Sequence, residues 1–159
     1  MPVCYFVKKI AKLIMDKFSK TISIRWADID ANFHLRHSAY YDFGAQQRME
    51  ILEQAGLTMQ VMQAQSFGPI LLGEECVFKK EIRLSDIITI NIKIAKMKAD
   101  ASRWTIQHQL ISEENKCCAL ITVDGAWMDT KRRKLLSHIP TIIINALNAF
   151  PKAEGFMLS

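Results

Sequence analysis

The period of apolar and polar positions changes along this chain, and each change marks an element. From Thr21 to Trp26, Ile22, Ile24 and Trp26 alternate with Thr21, Ser23 and Arg25, which predicts a half-buried strand. From Ala39 the period becomes helical. Tyr41, Ala45, Met49, Leu52 and Gly56 form a stripe broadened by Tyr40, Gly44, Ile51 and Ala55, with Asp42, Gln46, Glu50 and Glu53 opposite. A mid-helix glycine costs helix propensity, so Gly44 predicts close approach of another backbone, as where a sheet wraps round the helix. Gly56, followed by Leu57, suits a C-terminal cap.

A short apolar segment, Thr58 to Gln65, runs to Gly68-Pro69, and beyond it the period is two. Leu72, Cys76, Phe78, Ile82 and Leu84 form one face of the next stretch, and Ile88, Ile90, Ile92 and Ile94 one face of another. Trp104, Ile106 and Leu110 follow, then Cys117, Ala119, Ile121, Val123 and Trp127. Lys98 to Ala101 and Glu113 to Lys116 read as hairpin turns. Pro140 opens a last apolar stretch, Thr141 to Phe150, predicted as a short helix stopped by Pro151. One strand, a long helix and four successive antiparallel strands make an α+β class with the helix on one sheet face.

The candidate chemistry gathers between the first strand and the long helix, from Arg25 to Tyr40. Asp28, Asp30, His34 and His37 lie just ahead of a helix expected to begin near Ser38, which supplies a base, hydrogen-bond donors and the positive end of a helix dipole. Ordinary structural roles are also open: Asp30 as a loop aspartate, Asp28 as its hydrogen-bonding neighbour and Ser38 as an N-cap. Asp30, His34 and His37 are spaced i, i+4 and i+7, which would suit a metal site only if the loop were helical.

Strand, Asp-x-Asp, His34 four residues after the second Asp, then Tyr40 and a long helix resembles the 4-hydroxybenzoyl-CoA thioesterase family of the hotdog-fold superfamily. Arg83-Leu84-Ser85-Asp86 ahead of Ile87 to Ile90 is similar to the family's strand entry. Asp129 to Lys134 followed by Ile139-Pro140 resembles its last turn and exit. The likeness implies a hotdog fold, a long helix wrapped by an antiparallel sheet, in a homodimer with a continuous sheet or a homotetramer. It implies hydrolysis of an acyl-CoA thioester, with no metal or organic cofactor beyond the coenzyme A of the substrate.

By the same likeness Asp30 is the catalytic carboxylate, as base or nucleophile, with His34 and His37 as its candidate catalytic partners. N–H groups of His37, Ser38 and Ala39 would form the oxyanion site. Phe33 stands where the family usually has glycine, and Arg36-His37 where Asn-Asn is common. Phe33, Arg36 and Tyr40 are therefore expected to shape substrate binding, with Arg36 either pairing with Asp28 or reaching a ligand. Lys96, Lys98 and Arg103 are the first candidates for the coenzyme A phosphates, and the Lys131 to Lys134 cluster the second. His108 is expected in the core and His138 in an exposed loop.

The chain has 159 residues, half of them hydrophobic, enough for a single domain over 1–159 with one core. Its net charge of +5 and pI near 9.1 favour an anionic partner. The positive charge is scattered and no nucleic-acid motif organises it. Cys4, Cys76, Cys117 and Cys118 lack metal-ligand spacing and read as reduced thiols of a cytoplasmic protein. Residues 1–19 form a basic amphipathic extension. It is expected to pack on the domain or an oligomer partner, with peripheral membrane contact as the functional alternative. A non-catalytic acyl-CoA-binding or membrane-associated module is the alternative to an enzyme.

Overall fold

The computed structural model describes residues 17–159. Its order is β1 (Ser19–Ile22), a 3₁₀ turn (Trp26–Asp28), α1 (His37–Gln54), α2 (Met59–Gln65), β2 (Phe67–Phe78), β3 (Ile88–Met97), β4 (Arg103–Ser112) and β5 (Cys117–Asp129). Then come β6 (Lys134–Leu135), α3 (Thr141–Asn148) and β7 (Lys152–Leu158). The sheet runs β1-β3-β4-β5-β2 with antiparallel neighbours; β6 extends the β5 ladder, and β7 joins β3 in parallel. A curled antiparallel sheet around one long helix is the hotdog arrangement that the resemblance implied.

Ile88, Ile90, Ile92 and Ile94 of β3, Trp104, Ile106 and Leu110 of β4, and Ala119, Ile121, Val123 and Trp127 of β5 are all buried, so the period-two faces seen in the sequence point at the core. Gly44 does allow a close approach, but of side chains rather than of the backbone expected: a Cβ there would lie 3.3 Å from the Ile121 side chain and 3.4 Å from the His108 ring. α1 ends at a glycine cap, with Gly56 at φ +89°, Leu57 N–H donating to the Leu52 carbonyl at 2.9 Å, and Leu57 fully buried.

The helix face in the core differs from the stripe read in the sequence. Tyr40, Gly44, Gln47, Arg48, Ile51 and Leu52 are buried, whereas Tyr41 and Met49 are half-buried and Ala45 is exposed. Two polar residues occupy the core side because their partners are there. Gln47 Nε2 donates to the carbonyls of Phe18 (3.2 Å) and Ile90 (3.0 Å), and its Oε1 lies 2.8 Å from His108 Nδ1. Arg48 reaches His108 Nε2 and Glu74 of β2, each at 3.2 Å. A guanidinium only donates, so Nε2 accepts and Nδ1 carries the proton that goes to Gln47. Burial, reinforced by the Arg48 charge, pushes the His108 pKa down to about 3. This histidine is the neutral core residue that the sequence suggested.

Other boundaries moved too. β1 stops at Ile22, and Trp26 is exposed in the 3₁₀ turn because Arg25 and Asp28 close that turn. Gly68 and Pro69 fall inside β2 rather than ending a segment. β2 is the last strand of the sheet path, and an edge tolerates the missing proline N–H. β2 ends at Phe78, so Ile82 and Leu84 lie in the connection to β3. The strand β7 had no counterpart in the sequence reading. Of the expected extension 1–19, Phe18 is buried against Phe150 at 5.6 Å and Ser19 opens β1; residues 1–16 lie outside the described part. Among the described residues no helix is long and apolar enough to cross a membrane.

Candidate active site

The loop from Arg25 to Arg36 is held by two aspartates with different tasks. Asp28 is buried and accepts from Arg25 N (3.0 Å), Nε (3.0 Å) and Nη2 (2.8 Å). Arg25 holds its carboxyl below the usual range against the opposing cost of burial. Arg36 closes the other side. Its guanidinium lies 3.6 Å from Asp28 and 3.3 Å from Asp42, and it also bonds Ser38 Oγ and the Ala27 carbonyl. Arg36 is thus occupied by the protein's own acceptors.

Asp30 stands in a tight turn. Its N–H donates to the His34 carbonyl at 2.8 Å, its carbonyl accepts from Phe33 N–H at 3.0 Å, and an Ile29–Leu35 bridge closes the turn. Oδ1 accepts from Asn32 N–H at 2.8 Å and His34 N–H at 3.2 Å. Oδ2 has no hydrogen-bond partner among the described residues. Half of this exposed carboxylate holds the loop and half faces solvent. Phe33, where the family prefers glycine, keeps the left-handed conformation that glycine would favour, φ +63°, and its ring projects outward, 72% exposed. The turn is not helical, so the i, i+4, i+7 spacing does not align Asp30, His34 and His37 along one helix face.

α1 begins at His37, one residue before the expected start, with Arg36 as N-cap. Ala39 N–H donates to the Arg36 carbonyl at 2.9 Å. The N–H groups of His37 and Ser38 have no hydrogen-bond partner among the described residues. Of the three donors expected from the sequence, two stay available at the positive end of an 18-residue helix.

Asp30, His34, His37 and Tyr40 line one cleft of about 390 Å³ together with Leu35, Phe78, Lys79, Lys80 and Glu81. Tyr40 packs edge-on against Phe78 at 5.0 Å, and burial pushes its phenol up to about 12, so it stays protonated. His34 Nε2 lies 3.3 Å from Glu81, whose carboxylate also takes a 2.6 Å bond from Arg83. Arg83, then His34, hold Glu81 below the usual carboxylate range. Lys79, Lys80 and Glu81 were not among the candidates named from the sequence. No local signal marked them, since they join the site only because β2 ends at Phe78 and the chain then turns past the loop.

Lys96, Lys98 and Arg103 do converge, but elsewhere. They line a separate cavity of about 290 Å³ with Leu72, Trp104, Thr105 and Asp124. It shares no lining residue with the Asp30 cleft. Lys131 to Arg133 form the turn after β5 and Lys134 opens β6; Asp129 Oδ1 accepts from the Lys131 and Arg132 N–H groups, both at 2.9 Å.

The thioesterase-like superfamily model matches residues 24–152. Among solved structures, a hypothetical protein from Staphylococcus aureus in complex with CoA is 18% identical, with a TM-score of 0.75 over 86% of this chain and 87% of that one. A Pseudomonas aeruginosa protein is 20% identical, with a TM-score of 0.74 over 87% and 96%. A 1,4-dihydroxy-2-naphthoyl-CoA thioesterase from Synechocystis is 16% identical, with a TM-score of 0.73 over 82% and 95%. No curated protein sequence matches the chain.

Proposed function

This chain belongs to the thioesterase-like superfamily, the family of a thioester hydrolase, and we propose that it hydrolyses an acyl-coenzyme A to the free acid and CoA with Asp30 as the catalytic carboxylate. The observation that carries the proposal is one cleft holding the Asp30 carboxylate beside the uncovered N terminus of α1. Oδ1 is fixed by two N–H groups, which leaves Oδ2 to take a proton from water as it attacks the thioester carbon. The His37 and Ser38 N–H groups accept the developing oxyanion. The thiolate leaves readily, so no strong general acid is required. Lys79 and Lys80 place two ammonium-bearing side chains on the same cleft, and Glu81 holds the His34 ring in position. Direct attack by Oδ2 would use the same geometry and form an acyl-aspartate anhydride as the thiolate leaves; ¹⁸O found in Asp30 after a single turnover in ¹⁸O water would mark that route, with water attacking the aspartyl carbon.

CoA in the structure of the Staphylococcus aureus relative supports a CoA ester as substrate. Lys96, Lys98 and Arg103, gathered on one cavity, are the proposed holders of its phosphates.

The working unit is proposed to be a homodimer, and its locale the cytoplasm. β2 is a 12-residue edge strand on which Leu71, Leu72, Val77 and Phe78 are all exposed, and an edge of that length invites pairing. The half-covered Tyr41 and Met49, with the exposed Ala45 between them, give α1 a second apolar stripe.

The test is thiol release from short, medium, long and aromatic acyl-CoAs by the intact protein and by Asp30→Asn. Asparagine keeps an acceptor for the Asn32 and His34 N–H groups but cannot take a proton, so kcat should fall by about 10²- to 10⁴-fold with the fold retained. Unchanged turnover would move the chemistry off Asp30. CoA-ester binding without turnover in the intact protein would make this a non-catalytic acyl-CoA-binding module.

A further inference from the structure

The strand β2 leaves its ladder through a bulge. Past the Phe78–Ala119 pair, the N–H groups of Lys79 and Lys80 both donate to one acceptor, the Cys118 carbonyl, at 2.8 and 3.0 Å. Consecutive strand residues ordinarily face opposite sides of a sheet, and an extra residue set against one partner re-aims a side chain. Lys79 and Lys80 accordingly follow Phe78 along the wall of one cleft, the cleft that holds Asp30.

Four charged residues therefore meet there: Asp30 and Glu81, Lys79 and Lys80. Three of them have partners. Glu81 takes the 2.6 Å bond from Arg83 and lies 3.3 Å from His34. Asp30 Oδ1 is held by two N–H groups. Lys80 also borders a neighbouring cavity of about 150 Å³ with Asp86, Glu113 and Glu114, and its Nζ lies 3.9 Å from the Glu114 carboxylate. Lys79 has no carboxylate partner among the described residues.

This charge set bears on what can occupy the cleft. A bare aliphatic chain laid against an ammonium group removes hydration without returning a hydrogen bond, and only Leu35, Tyr40 and Phe78 offer such a chain an apolar wall. An acyl group that ends in a carboxylate returns a charge-assisted hydrogen bond instead. The coenzyme A phosphates are the other anionic candidates, but the pantetheine arm separates them from the thioester. Lys96, Lys98 and Arg103 gather on a cavity that shares no lining residue with this cleft.

We propose that Lys79, assisted by Lys80, binds a terminal carboxylate of the acyl group, so that the preferred substrates are CoA monothioesters of dicarboxylic acids. The assignment rests on the thioesterase reading and adds the acyl class to it. Water adds to the thioester carbon and the C–S bond breaks. The proton that Asp30 takes from water ends on the departing thiolate, and the products are the dicarboxylic acid and CoA. The distal carboxylate is a handle for recognition and takes no part in the bond changes.

The experiment measures kcat/KM for glutaryl-, adipyl- and suberyl-CoA, each against its monomethyl ester, which keeps the chain and removes the charge. In the intact protein at least one diacid should exceed its ester by about tenfold to hundredfold, the usual worth of a hydrogen bond to a charged group. Lys79→Met should lower that ratio by about tenfold, Lys79→Arg should retain most of it, and Lys79→Met/Lys80→Met should abolish it. Both lysines are exposed, so these variants leave the core intact. An ester that matches or exceeds its diacid in every pair would overturn the assignment and leave the thioesterase reading in place. So would a Lys79→Met loss shared equally by diacid and ester, the signature of a coenzyme A phosphate contact. Absence of turnover with every acyl-CoA would overturn that reading, and the assignment with it.

Discussion

His34 Nε2 lies 3.3 Å from the carboxylate of Glu81, across the mouth of the cleft that holds Asp30. His34 comes from the loop ahead of α1 and Glu81 from the connection between β2 and β3, so the pair ties two segments far apart in sequence. A carboxylate beside an imidazole fixes the orientation of the ring.

Glu81→Gln should therefore alter catalysis more than stability. Glu81 is exposed, and ion pairs of an exposed carboxylate contribute little to folding. The expected result is a several-fold fall in kcat with a Tm within a few degrees of the parent. An unchanged kcat would reduce the pair to a surface contact.

Phe33→Gly should stabilise the loop. A non-glycine residue in the left-handed region costs about 1–2 kcal/mol, and the exposed ring sacrifices little packing when removed. The greater freedom of glycine in the unfolded chain returns part of that gain, leaving up to about 1 kcal/mol. Urea denaturation of the two proteins measures it; a loss of stability would show that the ring has a partner.

The neutral His108 makes stability depend on pH. Its folded pKa, about 3, lies below its ordinary value of 6.5, so the unfolded chain binds the extra proton first as pH falls. The contribution is fully present above pH 6.5 and is lost progressively as pH drops towards 3. Urea midpoints should thus decline between pH 6.5 and 5, above the range of ordinary carboxylates, and His108→Gln should flatten that part of the curve. A flat parent curve would contradict the buried neutral assignment.

Gly125 is a packing requirement of β5. A Cβ there would fall 2.2 Å from the Trp104 ring, and β4 and β5 pair these two residues directly. Gly125→Ala should cost about 1–3 kcal/mol, the usual range for overpacking, seen as a lower Tm and urea midpoint. A change below 0.5 kcal/mol would mean that Trp104 can turn aside.

How much of this was legible beforehand differs by element. The period-two faces of β3, β4 and β5, the Gly56 cap and the Pro140-led helix could be read directly, because each depends on local backbone geometry or on one buried face. Asp30, His34, His37 and Tyr40 could be named because they sit on a single loop-helix segment, and the fold places all four on one cleft. Lys79, Lys80 and Glu81 could not, because nothing local fixes where β2 stops.

By itself, then, the sequence determined the order of elements, the α+β class and the loop that carries the candidate catalyst, since these follow from side-chain period and turn chemistry over a few residues. Tertiary structure alone decided that Gln47 and Arg48 lie inside the core, that Asp28 clamps the loop while Asp30 keeps a free oxygen, and that Lys96, Lys98 and Arg103 share a cavity apart from Asp30. The reason is physical. A buried polar group is stable only where distant partners satisfy it, and a cleft is made by segments whose separation along the chain is unrelated to their distance in space.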